Sequence, residues 1–252
     1  MRRLAPRFVE RVWGSTDLSP LFASRPEKIG EVWFDAGPLL IKFLFTTAPL
    51  SVQVHPDDAY AAKYEKSRGK TEMWHVLRVG PEGWIALGFD RPRTRDEVAP
   101  ALLDGSVEGM MRRVQPRPGE TYFVPAGVVH ALGPDLVVCE IQQSSDVTYR
   151  LYDYNRGREL HVARGLDVAR LEPHDSVTPP GVDGRIAGCS YFVTERRTVA
   201  GRGEAAPGVW IALEGSGSIG GEPFEPGAVF ELDAVGSIES PASIWLRTFA
   251  PA

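Results

Sequence analysis

The sequence predicts a mainly β protein of two successive strand series with short helical inserts. Three observations point there. Glycine (26) and proline (21) are frequent among the 252 residues, which implies many turns and short strands. Apolar and β-branched residues cluster in short runs bounded by turn residues. One turn-rich stretch, EPHDSVTPPGVDG over 172–184, divides the chain into two all-β series, residues 1–172 and 173–252.

The elements follow in order. GEVWFDAG, PLLIKFLFT and LSVQVHP read as successive strands over 30–56. DDAYAAKYEKS is rich in helix formers, with an Asp at its start as N-cap. Strands resume with TEMWHVLRV and GWIALGF. RTRDEVAPALLDGSVEGMMRRV is expected to be a helical insert, split by Pro100. RPGETYFVPAGVVHALG, DLVVCEIQQ and DVTYRLYDYN return to strand character. YFVTERRTV, GVWIALEGSGSIGG, GAVFELDA and SIWLRTFA form the second series.

Composition removes several functions. The net charge of -5 gives no global pull towards nucleic acid or an anionic membrane. The longest apolar run, Pro38 to Phe45, contains Lys42 and is too short to span a bilayer. MRRLAPRFVERVWG has no apolar segment of the secretory kind. Cys139 and Cys189 lie in apolar runs and are expected as free buried thiols. The expectation is a cytoplasmic protein, a monomer or weak homodimer.

A metal site emerges from three strands. Side chains alternate along a strand with period two. Ser51, Gln53 and His55 therefore share one face of SVQVH, with Val52 and Val54 on the other. Lys70, Glu72 and Trp74 share a face of the next strand. In the third, Gly119, Pro125, Gly127 and His130 have the spacing G-x5-P-x-G-x2-H. This is the second sequence motif of the cupin barrels, and it aims His130 into the barrel. Two imidazoles and a carboxylate suit zinc, with the Gln53 amide oxygen as a less usual fourth ligand. The first cupin motif is altered, with Gln53-x-His55 in place of His-x-His. Pro134 stands where the second motif would have Asn. These departures argue against a generic cupin oxygenase. His75, on the opposite strand face, is expected in the core, and His161 and His174 at the surface. Trp13, Trp33 and Trp84 are expected in the core, while Trp74 could line the pocket.

SVQVHPDD, GKTEMWHVL, FVPAGVVHALG and EIQQSSDVTYRLYDYNR resemble type I mannose-6-phosphate isomerases, in particular the short bacterial class. The resemblance is good over about 5–165 and loose beyond. It implies a bicupin fold and one zinc ion on Gln53, His55, Glu72 and His130. It further implies an active site with Lys70, Glu140, Arg150 and Asp146, and Ser51 as a phosphate ligand. Longer members often carry a His directly before the Lys, where this chain has Gly69. Ring opening must then fall to another group or to water on the metal.

The implied reaction interconverts D-mannose 6-phosphate and D-fructose 6-phosphate through a cis-enediol. Lys70 and Glu140 are both candidates for proton transfer, since burial can shift either towards neutrality. Arg150 and Arg156, on YRLYDYNR, are the candidate guanidinium partners of the phosphate. The second series has no histidine after His174 and is expected to be a degenerate, metal-free cupin packed on the first. Two other readings stand beside the isomerase: another metal-dependent cupin enzyme, and a non-catalytic sugar-phosphate sensor that keeps the metal.

Overall fold

The computed structural model describes residues 1–251 as three antiparallel sheets. In chain order the first elements are β1 (Arg2–Arg3), β2 (Arg7–Ser15), β3 (Ile29–Ala36), β4 (Leu39–Thr46), β5 (Val52–Val54), α1 (Asp58–Tyr64), β6 (Glu72–Val79) and β7 (Ile85–Phe89). There follow α2 (Arg95–Asp104), β8 (Met111–Val114), β9 (Thr121–Val124), β10 (His130–Leu132), β11 (Leu136–Gln143), β12 (Tyr149–Tyr152), α3 (Val162–Val168) and β13 (Val177–Thr178). The last are β14 (Gly184–Gly188), β15 (Val193–Ala205), β16 (Gly208–Gly215), β17 (Gly217–Ile219), β18 (Glu222–Phe224), β19 (Val229–Leu232) and β20 (Gly236–Phe249).

The first barrel is a seven-stranded sheet, β13-β9-β6-β11-β4-β3-β2, facing a five-stranded one, β12-β5-β10-β7-β8. Between them lies an apolar cluster with Trp13, Leu44 and Trp74 from one side and Ile85, Leu87 and Leu132 from the other. The five-stranded sheet is covered outside by α2 and α3, over Val52, Val54, Phe89 and Leu151. The seven-stranded sheet is covered outside by the third sheet. That contact buries Ile41, Phe43 and Phe45 with Ile211, Leu213 and Leu246. This is why LLIKFLFT is buried at every position: its alternate residues face two different cores.

The two series are interlocked. The terminal strand β1 pairs with β19 of the third sheet, and β13 pairs with β9 of the first barrel. Asp57 caps α1, accepting from the Tyr60 N–H at 2.8 Å. The second insert differs from expectation. Helix α2 is capped by Thr94 with Glu97 and runs through Pro100. Proline there removes the bond that an N–H at 100 would give to the carbonyl of residue 96, yet the helix continues to Asp104. The break comes instead at Gly105, in the left-handed conformation (φ 83), after which a 3-10 turn begins. Cys139 is buried and Cys189 half-buried, and both are free. No helix among the described residues is long and apolar enough to cross a membrane.

Candidate metal centre and active site

Strand register builds the site as two rows. In the five-stranded sheet, Gln53 is paired on one side with His130 and on the other with Arg150. In the seven-stranded sheet, Glu140 is paired with Lys42 on one side and Trp74 on the other. Directly opposed residues project from the same face of a sheet. Glu72, two residues before Trp74, also enters the interior.

His55, Glu72 and His130 converge, with potential ligand atoms within 4.8 Å of one another. All three are almost completely buried. Nε2 of His55 lies 3.5 Å from one Glu72 oxygen, and Nε2 of His130 lies 3.5 Å from the other. Each imidazole places Nδ1 against a backbone carbonyl, His55 on Val147 at 3.0 Å and His130 on Val128 at 2.9 Å. A carbonyl can only accept, so Nδ1 carries the proton and Nε2 presents its lone pair. Burial, and then the charge of Lys70, lower the His55 pKa to about 3. Burial likewise lowers that of His130. Both rings are neutral at neutral pH.

Burial opposes ionisation of Glu72, but Lys70 and the two histidines outweigh it and hold its pKa well below the ordinary value. Its two oxygens and His55 Nε2 have no hydrogen-bond partner among the described residues. Buried polar atoms are normally satisfied. Lys70 pairs with Glu72 Oε2 at 2.9 Å, but His55 Nε2 and Glu72 Oε1 are left without a donor, and with His130 Nε2 nearby they fit a divalent cation. The Gln53 amide adjoins them, its nitrogen 3.2 Å from His130 Nε2 and its oxygen taking the Ser51 hydroxyl at 3.3 Å. Amide nitrogen and oxygen exchange by a half-turn, which would turn the oxygen towards the histidines.

A cavity of about 350 Å³ opens beside this cluster, at the lower end of the roughly 300–1,000 Å³ of small-molecule sites. Ser51, Gln53, Lys70, Glu140, Asp146 and Arg150 all line it. Lys70 Nζ lies 2.9 Å from Glu72 and 3.9 Å from Glu140. Burial alone would lower its pKa, but the Glu140 and Glu72 carboxylates outweigh burial and raise it. The expectation that burial would bring Lys70 towards neutrality therefore fails.

Glu140 takes the Trp74 indole N–H on Oε2 at 3.0 Å. Its Oε1 is buried without a hydrogen bond, although Lys42 Nζ stands 3.1 Å away as an ion-pair partner. Arg150 donates from Nη1 to the Glu159 carbonyl at 2.8 Å, and its Nε is a buried donor with no acceptor. Asp146 is exposed at the cavity wall.

Arg156 does not reach the cavity. It donates to the Pro49 carbonyl at 2.9 Å and to Asp153, at 3.1 Å on the carbonyl and 2.8 Å on the carboxylate. Its neighbour Arg158 lines the cavity instead, anchored on the same Asp153 through Nε at 2.7 Å. Sequence reasoning also missed Lys42, which lies 4.6 Å from the Trp33 ring centroid and lines the cavity. A lone lysine inside an apolar strand was the available signal. Trp13 and Trp33 line the cavity, whereas Trp74 reaches the site through Glu140. His161 and His174 are half-buried rather than at the surface. His161 Nδ1 accepts the Arg150 backbone N–H at 3.2 Å, and His174 Nε2 meets the Phe123 carbonyl at 2.8 Å.

Gly69 has a steric cause. A Cβ there would lie 2.4 Å from the Asp57 carbonyl carbon and 2.5 Å from the Asp58 nitrogen. No histidine fits at this position without moving the backbone that starts α1.

No protein-family model matches the chain. Individual proteins do. The chain is 34% identical over 225 residues to the probable mannose-6-phosphate isomerase GmuF of Bacillus subtilis, covering 71% of each chain. To the mannose-6-phosphate isomerase ManA of the same organism it is 33% identical over 232 residues, 83% of this chain and 73% of the other. Its fold superimposes on the crystal structure of the Bacillus subtilis mannose 6-phosphate isomerase with a TM-score of 0.83, 27% identity and 98% coverage of both. A putative mannosephosphate isomerase from Archaeoglobus fulgidus shares the fold at a TM-score of 0.83 and 19% identity. With relatives at this identity over most of both chains, and with the cupin fold shared, this chain belongs to the mannose-6-phosphate isomerase family.

Proposed function

We propose that the chain is a zinc-dependent aldose–ketose isomerase that interconverts D-mannose 6-phosphate and D-fructose 6-phosphate through a cis-enediol. The observation that carries this is the adjacency of two features. The buried cluster of His55, Glu72 and His130 stands beside a cavity lined by Gln53, Lys70 and two partly engaged guanidiniums, Arg150 and Arg158. Gln53, His55, Glu72 and His130 would hold one ion per chain, and two neutral imidazoles with oxygen donors favour zinc. The bound ion would act as a Lewis acid on the sugar oxygens next to the reacting carbons.

The chain's own groups supply the rest. Glu140 Oε1, buried and without a hydrogen bond, is the group suited to take a proton from C2 and return it to C1. Trp74 fixes the carboxylate through its other oxygen. Lys42 and Lys70, at 3.1 and 3.9 Å from Oε1, keep that carboxylate from being an isolated buried charge. Lys70, held in the ammonium form, would donate to the oxygen on which negative charge develops. Arg150 and Arg158, with the Ser51 hydroxyl, would take the phosphate dianion. We place the protein in the cytoplasm, as a monomer or weak homodimer, and its two free thiols suit a reducing compartment.

The test is formation of fructose 6-phosphate from mannose 6-phosphate by the purified chain, before and after chelation. Turnover should vanish on chelation and return with zinc. Undiminished turnover in the metal-stripped protein would remove the metal from the mechanism, and no turnover in any state would remove the reaction.

A further inference from the structure

A second cavity, of about 550 Å³, lies where the third sheet meets the first barrel. Leu21, Leu77, Val137, Leu213 and Ile244 give it apolar walls. His75 opens into it from β6, three residues from Glu72 and on the reverse face of that strand. The imidazole is 3% exposed, and Nδ1 is engaged with the Thr121 hydroxyl at 2.8 Å. Nε2 has no hydrogen-bond partner among the described residues. Burial, and then the charge of Arg196, lower the ring's pKa to about 4, so a neutral imidazole faces the cavity at neutral pH.

Arg196 lines the same cavity. One of its terminal nitrogens is taken by Asp183 and Thr198. The edge formed by Nε and Nη2 is unengaged among the described residues. That edge is the one a carboxylate meets with two parallel hydrogen bonds. Arg78 adds a second guanidinium, tied by one nitrogen to the Ser19 carbonyl at 3.3 Å. The lining carboxylate, Glu214, is exposed, where water screens its charge.

We infer that this interdomain cavity is a binding site for a small amphipathic carboxylic acid. Its apolar body would sit between Leu213, Ile244 and Val137, and its carboxylate would bridge Arg196 and the His75 Nε2–H. Domain interfaces are common places for such sites. The occupant would lie behind the strand that carries Glu72, separate from the sugar-phosphate cavity.

Naphthalene-2-carboxylate is a suitable probe, with 2-naphthalenemethanol as its uncharged counterpart, titrated calorimetrically into the full chain. The acid should bind saturably at one site and the alcohol at least tenfold more weakly. Arg196→Gln should weaken the acid at least tenfold, and Ile244→Trp, which fills the cavity from its edge, should abolish binding. Thermal melts establish that each variant is folded, and the half-exposed Arg196 position keeps a test open if Ile244→Trp is not. Binding should be unchanged in an Arg150→Ala, Arg158→Ala double variant. The inference is overturned by absent saturable binding, by equal binding of acid and alcohol, or by binding that survives both Arg196→Gln and Ile244→Trp. Loss of binding in the double variant would place the probe in the catalytic cavity and overturn it equally.

Discussion

Two arginines, Arg156 and Arg158, lie in the turn after β12, and they are not equivalent. Asp153 is 3% exposed and accepts from both Arg156 and Arg158. Arg156 spends its donors on Asp153 and Pro49, so its work is to brace the turn. Arg158 leaves Asp153 with a face on the cavity. Arg158→Ala should therefore raise KM for mannose 6-phosphate by roughly 10–100-fold, in line with the roughly 1.5–3 kcal/mol of a charge-assisted hydrogen bond. Its melting temperature should change little. Arg156→Ala should show the opposite pattern, a lowered melting temperature with a KM within a few-fold of the parent. Steady-state kinetics and thermal melts on the two variants decide this. Equal KM effects would refute the division of roles. The sequence pattern could not make the distinction, because Arg156 and Arg158 lie two residues apart in a turn without strand alternation. The cluster of His55, Glu72 and His130 was legible for the opposite reason. Gln53, Glu72 and His130 sit in or at the start of strands, where period two dictates the face, and His55 continues that period. Lys42 was missed because an apolar run suggests burial on both faces, and burial on both faces is what β4 has.

At the scale of elements, the loop into β6 is set by a close approach rather than by a turn preference. Gly69 donates its N–H to Asp58 at 2.7 Å, and Lys70 donates to the Pro56 carbonyl at 3.0 Å. These two bonds clamp the loop onto the start of α1. A methyl at 69 would sit 2.4–2.5 Å from the backbone there, so the backbone must shift. Gly69→Ala is expected to cost about 1–3 kcal/mol, the usual price of overpacking. It should also displace Lys70 from Glu72 and lower kcat more than tenfold. Denaturant unfolding and kcat on the same variant check both parts. A fully active and fully stable Gly69→Ala would show that the loop yields freely. The identity of Gly69 was plain in the sequence, but its cause was not, since the obstructing atoms belong to a helix start eleven residues earlier. The same limit explains Pro100. Its chemistry suggests a break, yet Thr94 and Glu97 fix the first turn of α2 and Gly105 supplies the stop.

At the scale of the molecule, the turn-rich stretch suggests two β series but says nothing of how they combine. Strand periodicity tells which residues share a face and is silent on what covers that face. Here the outer face of the seven-stranded sheet carries Val32, Phe34, Ile41, Phe43 and Phe45 into a core shared with Ile211, Leu213, Val229 and Leu246. Fully burying one such side chain contributes about 1.5–3 kcal/mol. Exposing four or five would consume the roughly 5–15 kcal/mol of a typical domain's stability. Strand β1 would lose its partner, β19, at the same time. A fragment of residues 1–172 should therefore lack a cooperative thermal transition and aggregate, even though it contains all four proposed metal ligands. Zinc should not rescue it, because the proposed ligands lie between the two sheets of the first barrel while the lost contact lies outside them. Co-expression with residues 173–252 as a separate chain should restore a cooperative melt, since the shared core needs contact rather than covalent continuity. A stable, cooperatively melting 1–172 fragment would mean that the third sheet is an accessory, and that the first barrel folds without it.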